Sequence, residues 1–409
     1  MNILITTQIY EPETQASAVL VRELAEHLAS RGANVTVAAG FPHHPYGRLY
    51  PGFRRQWRRV EQVDGFRVVR GWHLIHPSPS LLVRGLVYLS QCAAFLLGAA
   101  GKPRPDVVIS YGPPLAGPLT SALIAKAAGA RLVSVIYDLY PDIAVELGYL
   151  HQPQLIRAAR MAEQLVYRLS RKIVVLSEGF RRTLVQEKQV PAEKVAVIPV
   201  WLDNQDIVPR ERDNPWRREM GIGPEKFVVL YAGTIGLVSG AEVVVEAAAR
   251  LRQEPDILFL LVGAGHAKDA VQARAAAAGL PNIRFAPFQP RERLSEVQAT
   301  ADVSLVTLAP GRGKTSVPSK VLGYMAAARP VLAAVDADCD TAALVRTADC
   351  GLVCPAGDGA ALAAAVLALK HAPERRRAGG EAGRRYFLEH FERQAVLEHY
   401  CRVIQGLLS

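Results

Sequence analysis

The segment Ser316-Val-Pro-Ser-Lys-Val-Leu-Gly-Tyr-Met-Ala-Ala-Ala-Arg-Pro-Val331 places a hydroxyl and an ammonium, Ser319 and Lys320, where a loop turns into a helix. Pro318 suits a first helical turn, since the N–H it lacks would have no acceptor there. A helix entry offers free N–H groups and partial positive charge. With Ser319, Lys320 and Val321 at that entry, the chemistry is that of a diphosphate site. Two glycine turns, Gly233-Thr-Ile-Gly236 and Gly263-Ala-Gly265, fall at the carboxyl ends of apolar runs in the same half of the chain. Glycine lets backbone N–H groups come close to a phosphate without a Cβ in the way. Gly233, Thr234, Gly236, Gly263 and Gly265 are therefore candidate ligand-holding residues. The turn Phe288-Gln-Pro290 follows the next apolar run.

Gly311-Arg-Gly-Lys-Thr-Ser316 looks like a piece of an ATPase phosphate loop, but Leu308 stands where the first glycine of Gly-x-x-x-x-Gly-Lys belongs. It reads instead as a basic loop, with Arg312 and Lys314 beside the diphosphate. The first half of the chain supplies carboxylates and imidazoles. Asp138 and Asp142 in Tyr137-Asp-Leu-Tyr-Pro-Asp142 follow an apolar run. A carboxylate at such a strand end can orient a sugar hydroxyl or accept a proton, which is the role expected of Asp138; Asp142 reads as a helix cap. His43, His44 and Tyr46 lie in Pro42-His-His-Pro-Tyr-Gly47, read as an exposed, substrate-contacting loop. Two histidines without a third ligand do not make a metal site. No nucleophilic triad or zinc motif is present, and no metal is expected.

These residues need strands and helices to carry them. Asn2–Thr7 is an apolar run, Leu20, Leu24 and Leu28 recur at helical spacing, Arg31-Gly32 closes the helix, and Asn34–Ala38 alternates. That is a βαβ unit and implies a parallel sheet covered by helices. Further strands are expected at Phe66–Arg70, Asp106–Ser110, Arg131–Ile136, Lys172–Leu176 and Val195–Ile198, with Asp64-Gly65 turning an antiparallel edge pair. Periodicity lapses over Trp201–Pro209. A second strand series follows at Lys226–Ala232, Ile257–Val262, Ile283–Ala286, Val303–Thr307, Pro330–Ala334 and Gly351–Cys354. The expected fold is α/β: two Rossmann-like doubly wound domains, 1–203 and 204–390, facing each other across a cleft. A last helix, about 391–409, is free to pack back on the first. Ligands in such sheets sit beyond the carboxyl ends of the strands.

The basic excess is uneven. Residues 1–203 carry 23 Lys+Arg and 15 Asp+Glu, a net of +8 (23 − 15), against +2 for the remainder. Basic residues beside a tryptophan, Arg54–Arg59 around Trp57, the further basic residues Arg157, Arg160, Arg168, Arg171 and Lys172, and the apolar run Leu81–Leu97 suit an anionic membrane surface. No charge-free run reaches the ~18 residues of a spanning helix, and the amino terminus lacks a basic leader. The five cysteines show no ligand spacing and read as buried free thiols in a reducing cytosol. Aromatic stacking motifs for nucleic acid are absent.

Together Gly40–Gly52, Ser110-Tyr-Gly-Pro-Pro114, Tyr137–Asp142, Ile198-Pro-Val-Trp-Leu-Asp203, Tyr231–Gly236 and Pro318-Ser-Lys320 resemble the GT-B glycosyltransferases of family 4, in particular the bacterial O-antigen and colanic-acid group. The resemblance covers nearly the whole chain. It implies metal-independent, retaining transfer from a nucleotide sugar. Gly233–Gly236 and Ser319-Lys320 would hold the diphosphate, Gly263–Gly265 and Phe288 would frame the nucleoside, and Asp138 would stand near the donor sugar. Lys320 would share stabilisation of the leaving diphosphate with Arg312 or Lys314. Ser17, His43, His44 and Tyr46 would face the acceptor, expected to be a lipid-linked (polyprenyl-diphosphate) or soluble saccharide. The enzyme would be cytoplasmic and peripheral to the inner face of the plasma membrane. The family's ribose-gripping glutamate is replaced by Gly323. A sugar-nucleotide 2-epimerase of the same architecture, or a catalytically silent membrane- or partner-binding subunit, are the alternative readings.

Overall fold

The computed structural model describes residues 1–407 apart from Thr14, Pro45, Pro79, Lys102, Pro113, Pro114, Leu147 and 314–318. The chain divides into two compact units: 1–199 with 397–409, and 200–396.

The first unit is built on an eight-stranded sheet. Its strands are β1 (Asn2–Thr7), β2 (Asn34–Gly40), β3 (Arg58–Val63), β4 (Phe66–Gly71), β5 (Val107–Tyr111), β6 (Arg131–Ile136), β7 (Lys172–Val175) and β8 (Val195–Val197). The spatial order is β3-β4-β2-β1-β5-β6-β7-β8. Every pairing is parallel except β3 with β4, joined through Asp64-Gly65. Both turn residues have positive φ, as the favoured two-residue hairpin requires. The near-continuous β-branched and leucine content of β1, β2 and β5 matches burial on both faces. Helices Leu81–Ala99, Ala116–Ala128 and Pro153–Leu169 pack side by side. The first two leave Leu86, Leu89, Leu96 and Leu123 exposed. Among the described residues no helix is long and apolar enough to cross a membrane.

The second unit holds a six-stranded, wholly parallel sheet of β9 (Phe227–Ala232), β10 (Ile257–Val262), β11 (Ile283–Ala286), β12 (Val303–Thr307), β13 (Val331–Ala334) and β14 (Gly351–Cys354), ordered β11-β10-β9-β12-β13-β14. The α/β, doubly wound architecture read from the sequence is thus present in both units. The second unit begins at Val200 rather than after Asp203. Val200 and Leu202 pack on its core, and Leu202 bridges Glu392. Trp201 and Ile207 are buried, so the stretch without periodicity is a packed one. The last helix, Arg393–Gln405, is shared: residues to Val396 go with the second unit and those from Leu397 with the first.

Candidate active site

In the second unit the strand order reverses between β9 and β12, which opens a crevice beyond their carboxyl ends. The glycine turns meet there and interlock. Gly233 N–H donates to Val262 O at 2.9 Å, Ile235 N–H to Ala264 O at 2.9 Å, and Gly263 N–H to Ala286 O at 2.9 Å. A Cβ on Gly263 would lie 2.0 Å from Gly233 O, and one on Gly265 2.3 Å from Ile235 O, with φ near +150° at both. These glycines are thus required by the approach of one loop to the next. The N–H groups of Gly233 and Gly263 are spent within the protein, so neither contacts a phosphate through its amide as the sequence suggested. Those of Thr234 and Gly236 have no acceptor among the described residues. Thr234 is exposed, and Gly236 O is held by Ser239 N and Oγ at 3.0 and 2.6 Å.

Lys320 lies against this turn: a Cβ on Gly233 would meet its Cε at 3.0 Å. Its Nζ donates to the Tyr231 hydroxyl and sits 3.8 Å from the centroid of that ring. Tyr231 in turn donates to Thr234 O at 2.7 Å, so one phenol joins the ammonium to the glycine turn. Burial lowers the Lys320 ammonium to about 7 and raises the Tyr231 phenol to about 12. The phenol stays neutral, and the ammonium lacks a carboxylate partner among the described residues. A half-buried cation without an anion is what an anionic ligand would complete. Tyr324, one turn further along helix Lys320–Ala326, accepts from Ala232 N at 3.0 Å and donates to Leu305 O at 3.0 Å, pinning that helix to β9 and β12.

The other sequence candidates of this unit are placed as follows. Ser319 is exposed at the helix start and makes no capping bond. The Val321 side chain is 1% exposed and belongs to the apolar core, so only its backbone is left for a ligand. Phe288 is 55% exposed after β11. Lys314 and Pro318 fall outside the described residues. Arg312 lies between two glycines whose N–H groups, Gly311 at 2.9 Å and Gly313 at 3.4 Å, both point at Asp336 Oδ2. That half of the loop is therefore anchored to a carboxylate. Gly323 is buried, and a Cβ there would meet Ile207 at 3.2 Å.

In the first unit the order reverses between β1 and β5. Gly112, after β5, has φ +87°, and a Cβ there would lie 2.3 Å from the Tyr137 hydroxyl. Ser17, in the first turn of helix Ala16–Ser30, brings its hydroxyl near that phenol. Asp138 follows; its carboxylate has no hydrogen-bond or ion-pair partner among the described residues, and burial raises it to about 6. Asp142 starts helix Asp142–Glu146 and accepts from Lys188 Nζ at 2.6 Å, an ion pair rather than a reactive group.

The histidine loop is less exposed than its sequence suggests. His43 and His44 are half-buried, and only Tyr46, at 61%, stands out in solvent. The cause is Glu13, a residue that sequence reading passed over. Buried at 3% exposure, it accepts from Tyr10 N at 3.1 Å, His43 N at 2.9 Å and His44 N at 2.7 Å. His43 Nδ1 faces Phe41 O at 3.2 Å, and burial holds its imidazole below the usual range. Tyr231 was passed over for a similar reason: a tyrosine in a strand reads as core until the fold sets its hydroxyl beside an ammonium.

Among the described residues one group could hold a metal, His27, Glu398 and Cys401. It lies where two helices of the first unit pack, and Glu398 is already paired with Arg31. Neither Lys320 nor Asp138 is part of it.

Residues 16–201 match the family described as "Glycosyl transferase 4-like domain", and residues 213–386 match "Glycosyl transferases group 1". The chain is 27% identical to the putative colanic acid biosynthesis glycosyl transferase WcaI of Escherichia coli (strain K12), over 99% of this chain and 100% of that protein. Among solved structures, sucrose-phosphate synthase from Thermosynechococcus elongatus superposes with a TM-score of 0.75 at 19% identity, covering 100% of this chain and 99% of the other. Alr3699/HepE of Anabaena in complex with UDP gives 0.73 at 16% identity, covering 99% and 100%. At such identities both structures speak for the fold.

Proposed function

Since the chain belongs to the GT-B glycosyltransferases of family 4, we propose that it moves a sugar from a nucleotide diphosphate to a saccharide hydroxyl in the building of a bacterial surface polysaccharide. The single observation that carries this reading is the half-buried ammonium of Lys320 against the Gly233 turn, with no carboxylate partner among the described residues. The acceptor in this proposal is a saccharide carried on a polyprenyl diphosphate, which matches the colanic-acid role in the name of the WcaI relative. The UDP held by HepE makes a uridine nucleotide the first donor to try.

In the proposed step the bond between the anomeric carbon and the leaving β-phosphate oxygen breaks. The acceptor oxygen bonds that carbon on the same face, and its proton passes to the departing diphosphate oxygen. Configuration is then retained. Negative charge grows on the diphosphate, and a preorganised cation stabilises it more than it stabilises the ground state. Lys320 supplies that cation, so no metal is needed for charge neutralisation. Thr234 and Gly236 offer the free N–H groups, and Asp138 orients a sugar hydroxyl.

Calorimetric titration with UDP, GDP, TDP and ADP and their sugars, with and without magnesium, tests this. The expected result is metal-independent binding of one nucleotide, lost in Lys320→Ala. A folded protein that binds none of them would make a silent subunit the better account. Conversion of a nucleotide sugar to its 2-epimer without any acceptor would make it an epimerase.

A further inference from the structure

At its outer edge the sheet of the first unit ends in two tryptophans. Trp57 leads into edge strand β3 and Trp72 follows β4. They face each other one position beyond the Arg58–Gly71 pair, where Trp72 N–H donates to Trp57 O at 2.9 Å. Their ring centroids are 5.4 Å apart, with the planes tilted by 45°. A cross-strand aromatic pair steadies a hairpin. Here, however, Trp57 stays 75% exposed and Trp72 37%, so much of the ring surface meets water. An exposed indole offers an apolar face with an N–H at its rim. A pyranose ring matches that surface, with C–H bonds on its faces and hydroxyls around its edge. Strand alternation puts Arg59 and Glu61 on the same face of β3 as Trp57. They pair at 2.9 Å, and Arg70 of β4 reaches Glu61 at 3.2 Å, so the polar rim beside the rings is satisfied in charge and rich in donors and acceptors.

We propose that Trp57 and Trp72 form a platform for a distal sugar ring of an oligosaccharide acceptor, several residues away from the hydroxyl that reacts. Position supports this. β4 runs parallel to β2, so Trp72 lies at the same end of the sheet as the histidine loop. His73, the next residue, packs on His43 with ring centroids 4.7 Å apart, and its Nε2 is 2.9 Å from Phe41 O. The platform is thereby fastened to the loop expected to face the acceptor. From β4 the order β2, β1, β5, β6 leads to Asp138, four strand steps at ~4.8 Å each, or roughly 19 Å. One sugar ring does not cover that span, whereas an oligosaccharide does. The platform therefore makes the enzyme favour long acceptors over short ones. A rim whose acid is already paired with two guanidiniums suits hydroxyls better than headgroup phosphates, so a saccharide fits this edge better than the membrane surface suggested by Arg54–Arg59 alone. The inference rests on the reading that the acceptor is a saccharide, and adds a second point of contact to it.

Calorimetric titration of the full chain tests it, using fragments of the host's surface polysaccharide sized as disaccharides, tetrasaccharides and hexasaccharides. The hexasaccharides are expected to bind about tenfold more tightly than the disaccharides, the scale of one aromatic stacking contact. Trp57→Ala, at a site exposed enough to spare the fold, should remove that advantage, and Trp57→Tyr should keep most of it. Both variants should bind nucleotide as the wild type does, which shows that they fold. Equal affinity at every length, or an advantage that survives in both Trp57→Ala and Trp57→Ala/Trp72→Ala, would overturn the proposal. So would binding to phosphatidylglycerol vesicles that Trp57→Ala abolishes while saccharide affinity is kept. A wild-type protein that binds nucleotide but no fragment sinks the platform alone. One that binds fragments but no nucleotide leaves the platform standing and sinks the glycosyl-transfer reading; one that binds neither sinks both.

Discussion

The loops at the carboxyl ends of the two sheets are held by different means. In the second unit, backbone holds backbone: Gly233, Ile235 and Gly263 exchange N–H···O bonds between successive loops, with glycines where a Cβ would collide. In the first unit one buried side chain, Glu13, gathers three N–H groups from two loops. Backbone locking spreads the cost of any one change and leaves side chains such as Lys320 free for a ligand. Locking through a single carboxylate concentrates the whole arrangement in one residue. A loop of the first kind suits an invariant diphosphate. The second kind can be re-aimed by few substitutions, as variable acceptors would demand.

The comparison breaks first at its charge. Lys320→Ala is expected to lower turnover by about 10²-fold or more, the scale of losing one preorganised donor, with the fold unchanged by circular dichroism. A variant near full activity would remove Lys320 from the chemistry. Next comes the carboxylate lock. Glu13→Ala strands three N–H donors, one buried and two half-buried, and should cost about 3 kcal/mol in chemical denaturation, at ~1–3 kcal/mol per orphaned group, with the acceptor KM rising. Gly263→Ala should cost about 2 kcal/mol through the clash at Gly233 O and the left-handed φ, and should loosen nucleotide binding along with it. If Gly263→Ala instead spares nucleotide affinity, the backbone lock does not shape the donor site. Tyr231→Phe, which deletes one hydroxyl between Lys320 and Thr234 O, should cost about 1 kcal/mol of nucleotide affinity.

Two pH profiles sharpen the contrast. Lys320 is lowered to about 7 in the free protein, so it is charged below that pH and neutral above it. A diphosphate bound above pH 7 must bring a proton with it. Affinity should fall as pH rises past 7, by at most about tenfold per unit, and calorimetry in buffers of different ionisation heat should show proton uptake at pH 8. Asp138, raised to about 6 by burial, is ionised above that value. Activity that needs its carboxylate should fall as pH drops through about 6, and Asp138→Asn should abolish that limb.

Much of the fold was legible because its signals are local. Apolar runs of strand length, the glycine turns after them, and Asp64-Gly65 with its two positive φ values need only neighbours along the chain. The site was legible in part. Lys320 and Asp138 stand out as charged groups at strand ends and helix starts. The Val321 side chain turns into the core because of which face of a short helix meets the sheet, something the sequence does not mark. The histidine loop was read as solvated because nothing nearby in sequence marks Glu13, some thirty residues away, as its anchor.

The sequence alone determined the α/β class and the two strand series, since periodicity and turn chemistry act over a few residues. Tertiary structure alone decided which glycines serve packing rather than ligand contact, and that Tyr231 lies under the Lys320 ammonium. Each depends on which segments the fold brings within a few ångströms.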